Sequence, residues 1–343
     1  MIHKPISYVI CLLLLSGILI CGCSENDSTS GKETIVENAR ASQKNAARGS
    51  SSKSKTTTDK TSGSKSSKSK PVRDNTPQVK VPEASGSVVL GNEFASIDAS
   101  HTEDGYFMLK YLGSNQKVKM RVTGPGQSEY IYLLSGKGEF ETFPLPCGSG
   151  SYQIDVLENV GGDMYATVCT TTVDVTIKDE FGPFLYPNQY VNFLPESKTV
   201  AKGSELAKDM TSDLEVIESV YHYVTQNITY DKSKAENVSY GYLPVIDDTL
   251  KSGTGICFDY AAVMSAMLRS QGIPTKLEIG YSGEAYHAWI SAYIKDEGWI
   301  DKIIEFDGKS WTLMDPTLAS NNNASAVGKY IGDGSNYTVK FSY

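Results

Sequence analysis

Apolar and polar positions change pattern three times along the 343 residues. An unbroken apolar run fills Ile10–Ile20, and residues 24–80 then offer almost nothing to bury. Short alternating runs follow from Gly86 to about Lys178, among them Phe107-Met-Leu-Lys-Tyr-Leu, Val118-Lys-Met-Arg-Val, Tyr130-Ile-Tyr-Leu-Leu and Tyr152-Gln-Ile-Asp-Val-Leu. Gly113-Ser-Asn, Gly124-Pro-Gly, Ser135-Gly-Lys-Gly and Gly161-Gly-Asp punctuate them. Period-two runs of this length and spacing predict an antiparallel β-sandwich, immunoglobulin-like by default. After Ser212 the period becomes helical. Ser212 and Glu215 form a capping box, and Leu214, Ile217, Val220, Tyr221 and Val224 recur on one face of a helix ending near Asn227. A second helix follows Cys257, with its stripe through Ala261, Met264, Met267 and Leu268 and its end at Gly272 and Pro274.

Strands are then predicted at Thr275–Tyr281, from Tyr286 to Tyr293, around Gly298-Trp-Ile and around Trp311-Thr-Leu-Met. The whole reads as α+β: an all-β sandwich over 81–180, then a helix packed on an antiparallel sheet over 181–343. Between the two runs Asp179-Glu-Phe-Gly-Pro-Phe-Leu-Tyr-Pro-Asn-Gln-Tyr-Val-Asn-Phe, too aromatic for a loose linker. It is expected to pack between the two bodies as a fixed interface.

Charge separates tail from body. Residues 1–80 carry 13 Lys/Arg and 6 Asp/Glu (13 − 6 = +7), and residues 81–343 carry 19 and 34 (19 − 34 = −15). An acidic body argues against nucleic-acid binding, which needs clustered cations on a folded surface. The apolar run is too short for a permanent membrane span of ~20 residues but suits the core of an export signal. With Lys4 before it and Gly22-Cys23-Ser-Glu after it, this segment resembles a bacterial lipoprotein signal over 1–23. The resemblance implies cleavage before Cys23, lipidation of its sulfur and anchoring on the extracellular face of a bacterial cell membrane. Residues 24–80 cannot offset their ordering entropy and are expected to form a disordered stalk. Fifty-seven such residues relax to ~40–45 Å and reach ~190–200 Å when taut.

In an oxidising location Cys147 and Cys169 are candidates for a disulfide. A hairpin turning at Gly161-Gly162 would hold them apart, so a bridge needs an inter-sheet contact.

The chemistry concentrates later. Gly253 and Gly255 break the chain just before Cys257, which puts this thiol at a helix start, where unpaired N–H groups and the positive dipole end favour thiolate. His287 opens the next strand but one, and Asp315 precedes Pro316. An imidazole can take the thiol proton and return it to a leaving amine, and a carboxylate on its other nitrogen fixes tautomer and orientation. Backbone N–H groups at the helix start can stabilise an oxyanion. Tyr260, Tyr286 and Trp289 are candidates to line a substrate cleft. Trp289 alternates with His287 on one strand face. His101 and His222 have no partners at metal-ligand spacing.

Gly255-Ile-Cys257-Phe-Asp-Tyr-Ala, Tyr286-His287-Ala-Trp and Trp311-Thr-Leu-Met-Asp315-Pro-Thr resemble the three blocks of the transglutaminase-like superfamily, over about residues 205–320. The resemblance implies a papain-like core, a Cys257-His287-Asp315 triad and thioester acyl-enzymes resolved by water or an amine. Ile256 and Phe258 stand where the animal crosslinking enzymes have Gln and Trp, and no acidic calcium loop appears. No metal or cofactor is expected. The implied substrate is a protein or wall-peptide amide. The rival is a non-catalytic adhesion or wall-binding protein that keeps the fold.

Overall fold

The computed structural model describes residues 73–134, 138–282, 285–295, 297–300, 304–306, 311–313 and 337–343. The signal segment, Cys23, the stalk up to residue 72 and Asp315 lie outside the described residues.

Eight strands come first: β1 (Val89–Gly91), β2 (Ala95–Asp98), β3 (Tyr106–Tyr111), β4 (Val118–Thr123), β5 (Glu129–Leu133), β6 (Glu141–Pro144), β7 (Gly150–Gly161) and β8 (Met164–Val175). They form two antiparallel sheets ordered β1-β2-β3-β6 and β5-β4-β7-β8. Alternation decides the faces. Val118, Met120 and Val122 of β4, with Tyr130 and Tyr132 of β5, point inward, while their neighbours face outward. These side chains share one apolar core with Ile97, Phe107, Leu109 and Phe143 of the other sheet. Each such buried side chain contributes about 1.5–3 kcal/mol of transfer free energy.

The candidate disulfide does not form: Cys147 and Cys169 are both free thiols. Register explains the correction. Gly150 pairs with Val175, whereas Cys169 stands opposite Val156, six positions further along β8. At ~3.3 Å per residue that is about 20 Å of strand, against the ~7 Å limit between bridged Cα atoms.

The second body contains α1 (Lys198–Ala207), α2 (Asp213–Asn227), β9 (Thr229–Tyr230), α3 (Lys232–Asn237), α4 (Ile246–Ser252), β10 (Thr254–Gly255) and α5 (Cys257–Arg269). It continues with β11 (Thr275–Ser282), β12 (Ala285–Ile294), β13 (Gly298–Ile300), β14 (Ile304–Phe306), β15 (Trp311–Leu313) and β16 (Tyr337–Ser342). A four-stranded antiparallel sheet runs β13-β12-β11-β16. Ser212 caps α2 as predicted, its Oγ accepting the Glu215 N–H at 3.3 Å, while Glu215 Oε2 accepts the Thr211 N–H, one residue before the cap, at 2.6 Å. The α2 stripe is buried at Val216, Ile217, Val220, Tyr221 and Val224. Helix α5 is central, with every residue from Asp259 to Arg269 buried. Strand β15 pairs with β14 rather than with the sheet that holds β12.

The aromatic crossing packs on both bodies. Tyr186 meets Tyr106 at 4.6 Å and Tyr190 meets Tyr132 at 5.8 Å between ring centroids. On the other side Phe181 meets Tyr293 at 4.3 Å and Tyr190 meets Tyr343 at 4.2 Å. The buried Arg269 guanidinium at the end of α5 donates to the carbonyls of Thr275, Tyr186 and Tyr343, tying helix, crossing and last strand together.

The last residues assigned to the stalk are structured instead. Arg73 pairs with Asp213 at 2.8 Å and donates to the Gln271 carbonyl, Asn75 donates to the Met210 carbonyl, and the Gln78 N–H donates to the Ser270 carbonyl. Composition hid this strap because its partners lie more than a hundred residues away.

Candidate active site

Cys257 is the first residue of α5, and Ile256 before it is extended (φ −100°, ψ 175°). The approach is built tightly. Gly253 adopts φ +63° to end α4, and a Cβ at Gly255 would lie 2.8 Å from the Asp259 Cβ. The backbone N–H groups of Ala288 and Phe258 lie near enough to the Cys257 sulfur to favour its charged form. Ala288 directly follows His287 on β12, so the helix start and the histidine strand meet at the sulfur.

Strand β12 is read by its register against β11: Glu278 faces Trp289 and Gly280 faces His287. His287, Trp289 and Ser291 therefore share one face. Ala288, Ile290 and Ala292 on the other are buried. The rings of His287 and Trp289 stack with centroids 6.2 Å apart. Trp289 Nε1 donates to Glu278 Oε2 at 2.7 Å, and Ser291 Oγ donates to the same oxygen at 2.8 Å. Gly280 makes room for this layer, since a Cβ there would sit 3.0 Å from the indole and 2.0 Å from the Thr338 carbonyl oxygen.

Protonation differs from the expectation at the helix start. Burial pushes the Cys257 thiol above its ordinary range, with help from the Asp259 charge, against the pull of the N–H donors. Burial also lowers His287 to about 4. Thiol and imidazole are thus both neutral at pH 7. The helix dipole is outweighed because a half-buried sulfur loses more hydration than the first turn returns. His287 Nε2 is buried and has no hydrogen-bond partner among the described residues.

The three cleft candidates separate. Tyr286 is 61% exposed, stands edge-on to Tyr281 at 5.4 Å and lies close enough to Cys257 to feel its charge. Tyr260 is a correction: it is 1% exposed and its hydroxyl donates to the Ile228 carbonyl at 2.5 Å, so it is core. Trp289 is likewise core, pinned by Glu278. Asp315, two residues beyond β15, lies outside the described residues.

Sequence reading passed over one polar group. Asp259 is fully buried and accepts from the Ile256 N–H at 2.8 Å, Lys234 Nζ at 2.7 Å and the Tyr242 hydroxyl at 2.5 Å. An acidic residue at the third helical position is the available signal, but its cap lacks the usual Ser or Thr.

Residues 202–302 match the model of the transglutaminase-like superfamily, a stretch from within α1 to just past β13 that includes Cys257 and His287. Within the second body, residues 202–302 are thus similar to a transglutaminase-like domain. The chain is 25% identical over 231 residues to the UPF0252 protein MJ1282 of Methanocaldococcus jannaschii, covering 58% of this chain and 62% of that relative. It thus spans less than two thirds of the relative's length. Among solved structures, a candidate cysteine protease from Cytophaga hutchinsonii is 18% identical with a TM-score of 0.32, covering 57% of this chain and 77% of the other. A candidate protease from Parabacteroides distasonis is 16% identical with a TM-score of 0.26, covering 43% and 35%.

Proposed function

We propose that this chain is a surface-anchored cysteine enzyme that attacks peptide or isopeptide amides through a Cys257 thioester. The observation that carries the reading is the partly exposed Cys257 at the start of α5, with the backbone N–H of Ala288, the residue after His287, near enough to favour its thiolate. A packing cysteine has no need of a helix start, a histidine strand and an open side at once.

The mechanism follows from the neutral pair. As sulfur attacks the amide carbonyl its proton passes to the imidazole, so charge develops only in the transition state. The imidazolium then protonates the departing amine and the C–N bond breaks, leaving the thioester. Water or a second amine, deprotonated by the same imidazole, cleaves the C–S bond and returns the thiol. Asp315 is the carboxylate we assign to His287 Nε2, where it would orient the ring and stabilise imidazolium. Backbone N–H groups in the first turn of α5 would hold the oxyanion. Tyr286 is the assigned border of the acyl-donor cleft. Lipidation at Cys23 and the stalk would hold this body at the outer membrane surface, in reach of surface proteins or wall peptides. Hydrolysis is the favoured outcome, because water always has access to the thioester.

The test is trapping with an amide-mimicking electrophile, scored by mass, beside incubation of surface-protein extract with a labelled primary amine. Wild type is expected to carry the adduct on Cys257 and to cut or deamidate its target; crosslinking would instead join chains and release ammonia. Equal labelling of wild type and Cys257→Ala would falsify the enzyme reading.

A further inference from the structure

The group beneath the nucleophile is unusual for its charge. Asp259 shares the first turn of α5 with Cys257, and its carboxylate is 0% exposed. A buried anion two residues from a sulfur that must become anionic opposes the reaction, unless a cation is supplied. Lys234 supplies it. Its ammonium donates to Asp259 Oδ2 at 2.7 Å and to the Tyr242 hydroxyl at 2.7 Å, while Tyr242 donates to Asp259 Oδ1.

The cation is held by more than this pair. Lys234 lies in the short helix α3, whose cap Asp231 accepts the Lys234 N–H at 2.9 Å. The Asp231 N–H in turn donates to the Gly255 carbonyl at 2.9 Å, two residues before Cys257. Strand β9 pairs in parallel with β10 at Thr229–Thr254 and Tyr230–Gly255. Helix α3 is therefore bolted to the segment that delivers the sulfur. Tyr242, from the loop after α3, also packs edge-on against Phe258 at 6.4 Å.

We infer that Lys234 is a positioning residue for the acyl-transfer reaction: its ammonium cancels the Asp259 charge in the nucleophile's turn, and with Tyr242 it holds that turn in place. The inference rests on the reading of Cys257 as the nucleophile. The electrostatics agree. The Asp259 charge is among the influences that raise the Cys257 thiol. Burial draws the Lys234 ammonium down, but its hydrogen bonds to Asp259 and Tyr242 outweigh burial and leave it above the ordinary value. Among the described residues, Tyr286 on β12 and Tyr230 on β9 also feel the charge of the sulfur.

The test uses the full chain and reads the rate of iodoacetamide alkylation at Cys257 from pH 5 to pH 10, located by peptide mass, with near-ultraviolet circular dichroism to verify folding. Lys234→Met is expected to slow alkylation about tenfold at pH 7, one unit of profile displacement toward higher pH. Lys234→Arg is expected to restore most of it. Asp259→Asn should displace the profile toward lower pH, and the Lys234→Met/Asp259→Asn pair should return close to wild type. A merely structural role would slow every variant regardless of sign, and that result overturns the proposal. So does a Lys234→Met profile that superposes on wild type. Should Lys234→Met not fold, Asp259→Asn decides, with an unchanged or upward displacement counting against the inference. A wild-type Cys257 that takes up no more of the amide-mimicking electrophile than the Cys257→Ala chain does would instead remove the nucleophile reading itself.

Discussion

The two bodies of the molecule each present free thiols, and they differ in an instructive way. Burial pushes Cys147 and Cys169 of the sandwich and Cys257 of the second body all above the ordinary thiol range. Titration alone would rank none of them as a nucleophile. The surroundings separate them. Cys147 faces the hydroxyls of Ser128, Tyr130 and Tyr152, and Cys169 feels only the Asp155 charge. Cys257 instead has backbone N–H donors from a helix start and from the residue after a histidine. A reactive cysteine is defined here by where its proton can go and by what can stabilise the charge that follows.

The largest expected effect tests that contrast directly. Cys257→Ala should remove thioester formation altogether, whereas Cys147→Ser/Cys169→Ser together should leave turnover within about twofold while costing about 1–3 kcal/mol of stability from a buried hydroxyl. Comparable losses of turnover from both variants would erase the distinction between the bodies.

Next comes the histidine. His287→Ala should lower kcat/KM by about 10²–10⁴-fold with the fold intact, as expected for loss of a positioned base. His287 also sets a pH signature. Its folded value of about 4 lies below the unfolded 6.5, so the unfolded chain takes up the proton first and stability falls as pH drops from 6.5 toward 4. Thermal unfolding at pH 7 and pH 5 in wild type and His287→Gln checks the sign: the variant should lose less on acidification.

Glycines allow a comparison of packing. Gly280→Ala would drive a Cβ to 2.0 Å from the Thr338 carbonyl oxygen, so β16 or the Trp289 layer must move. A loss of about 1–3 kcal/mol is expected, with reduced activity. Gly162→Ala, in the open sandwich hairpin at φ +54°, should cost about 1 kcal/mol from backbone strain and leave activity alone. Calorimetry and turnover on both variants separate tight assembly at the site from loose assembly at the hairpin.

The smallest effect concerns the strap. Arg73→Ala removes a partly exposed ion pair with Asp213 and the bond to the Gln271 carbonyl, so about 1 kcal/mol is expected. Limited proteolysis should cut nearer residue 80 in the variant, and an unchanged cleavage pattern would show that the strap does not depend on this arginine.

Much of the fold and part of the site were legible because their causes are local. Alternation in β4 and β5, the Ser212 cap and the run from Cys257 to Arg269 state their own periods, and the structure builds each of them. Helices α1, α3 and α4 and strands β14 and β16 escaped notice, being short and lacking a sustained stripe. Tyr260 and Trp289 could line a cleft or fill the core as far as sequence shows, and the fold puts both in the core, because spacing gives a face but not what covers it. Lys234 was invisible for a related reason: it lies 25 positions before Asp259 and announces itself only by contact.

What the amino-acid order determined alone is therefore the set of elements and the placing of Cys257 before a helix and His287 in a strand, since propensity, capping and alternation act between near neighbours. Only the tertiary structure decided which thiols stay unbridged, which way burial moves Cys257 and His287, and which cation pairs with the buried Asp259. Those properties depend on dehydration and on distances between remote segments, and neither exists until the chain has folded.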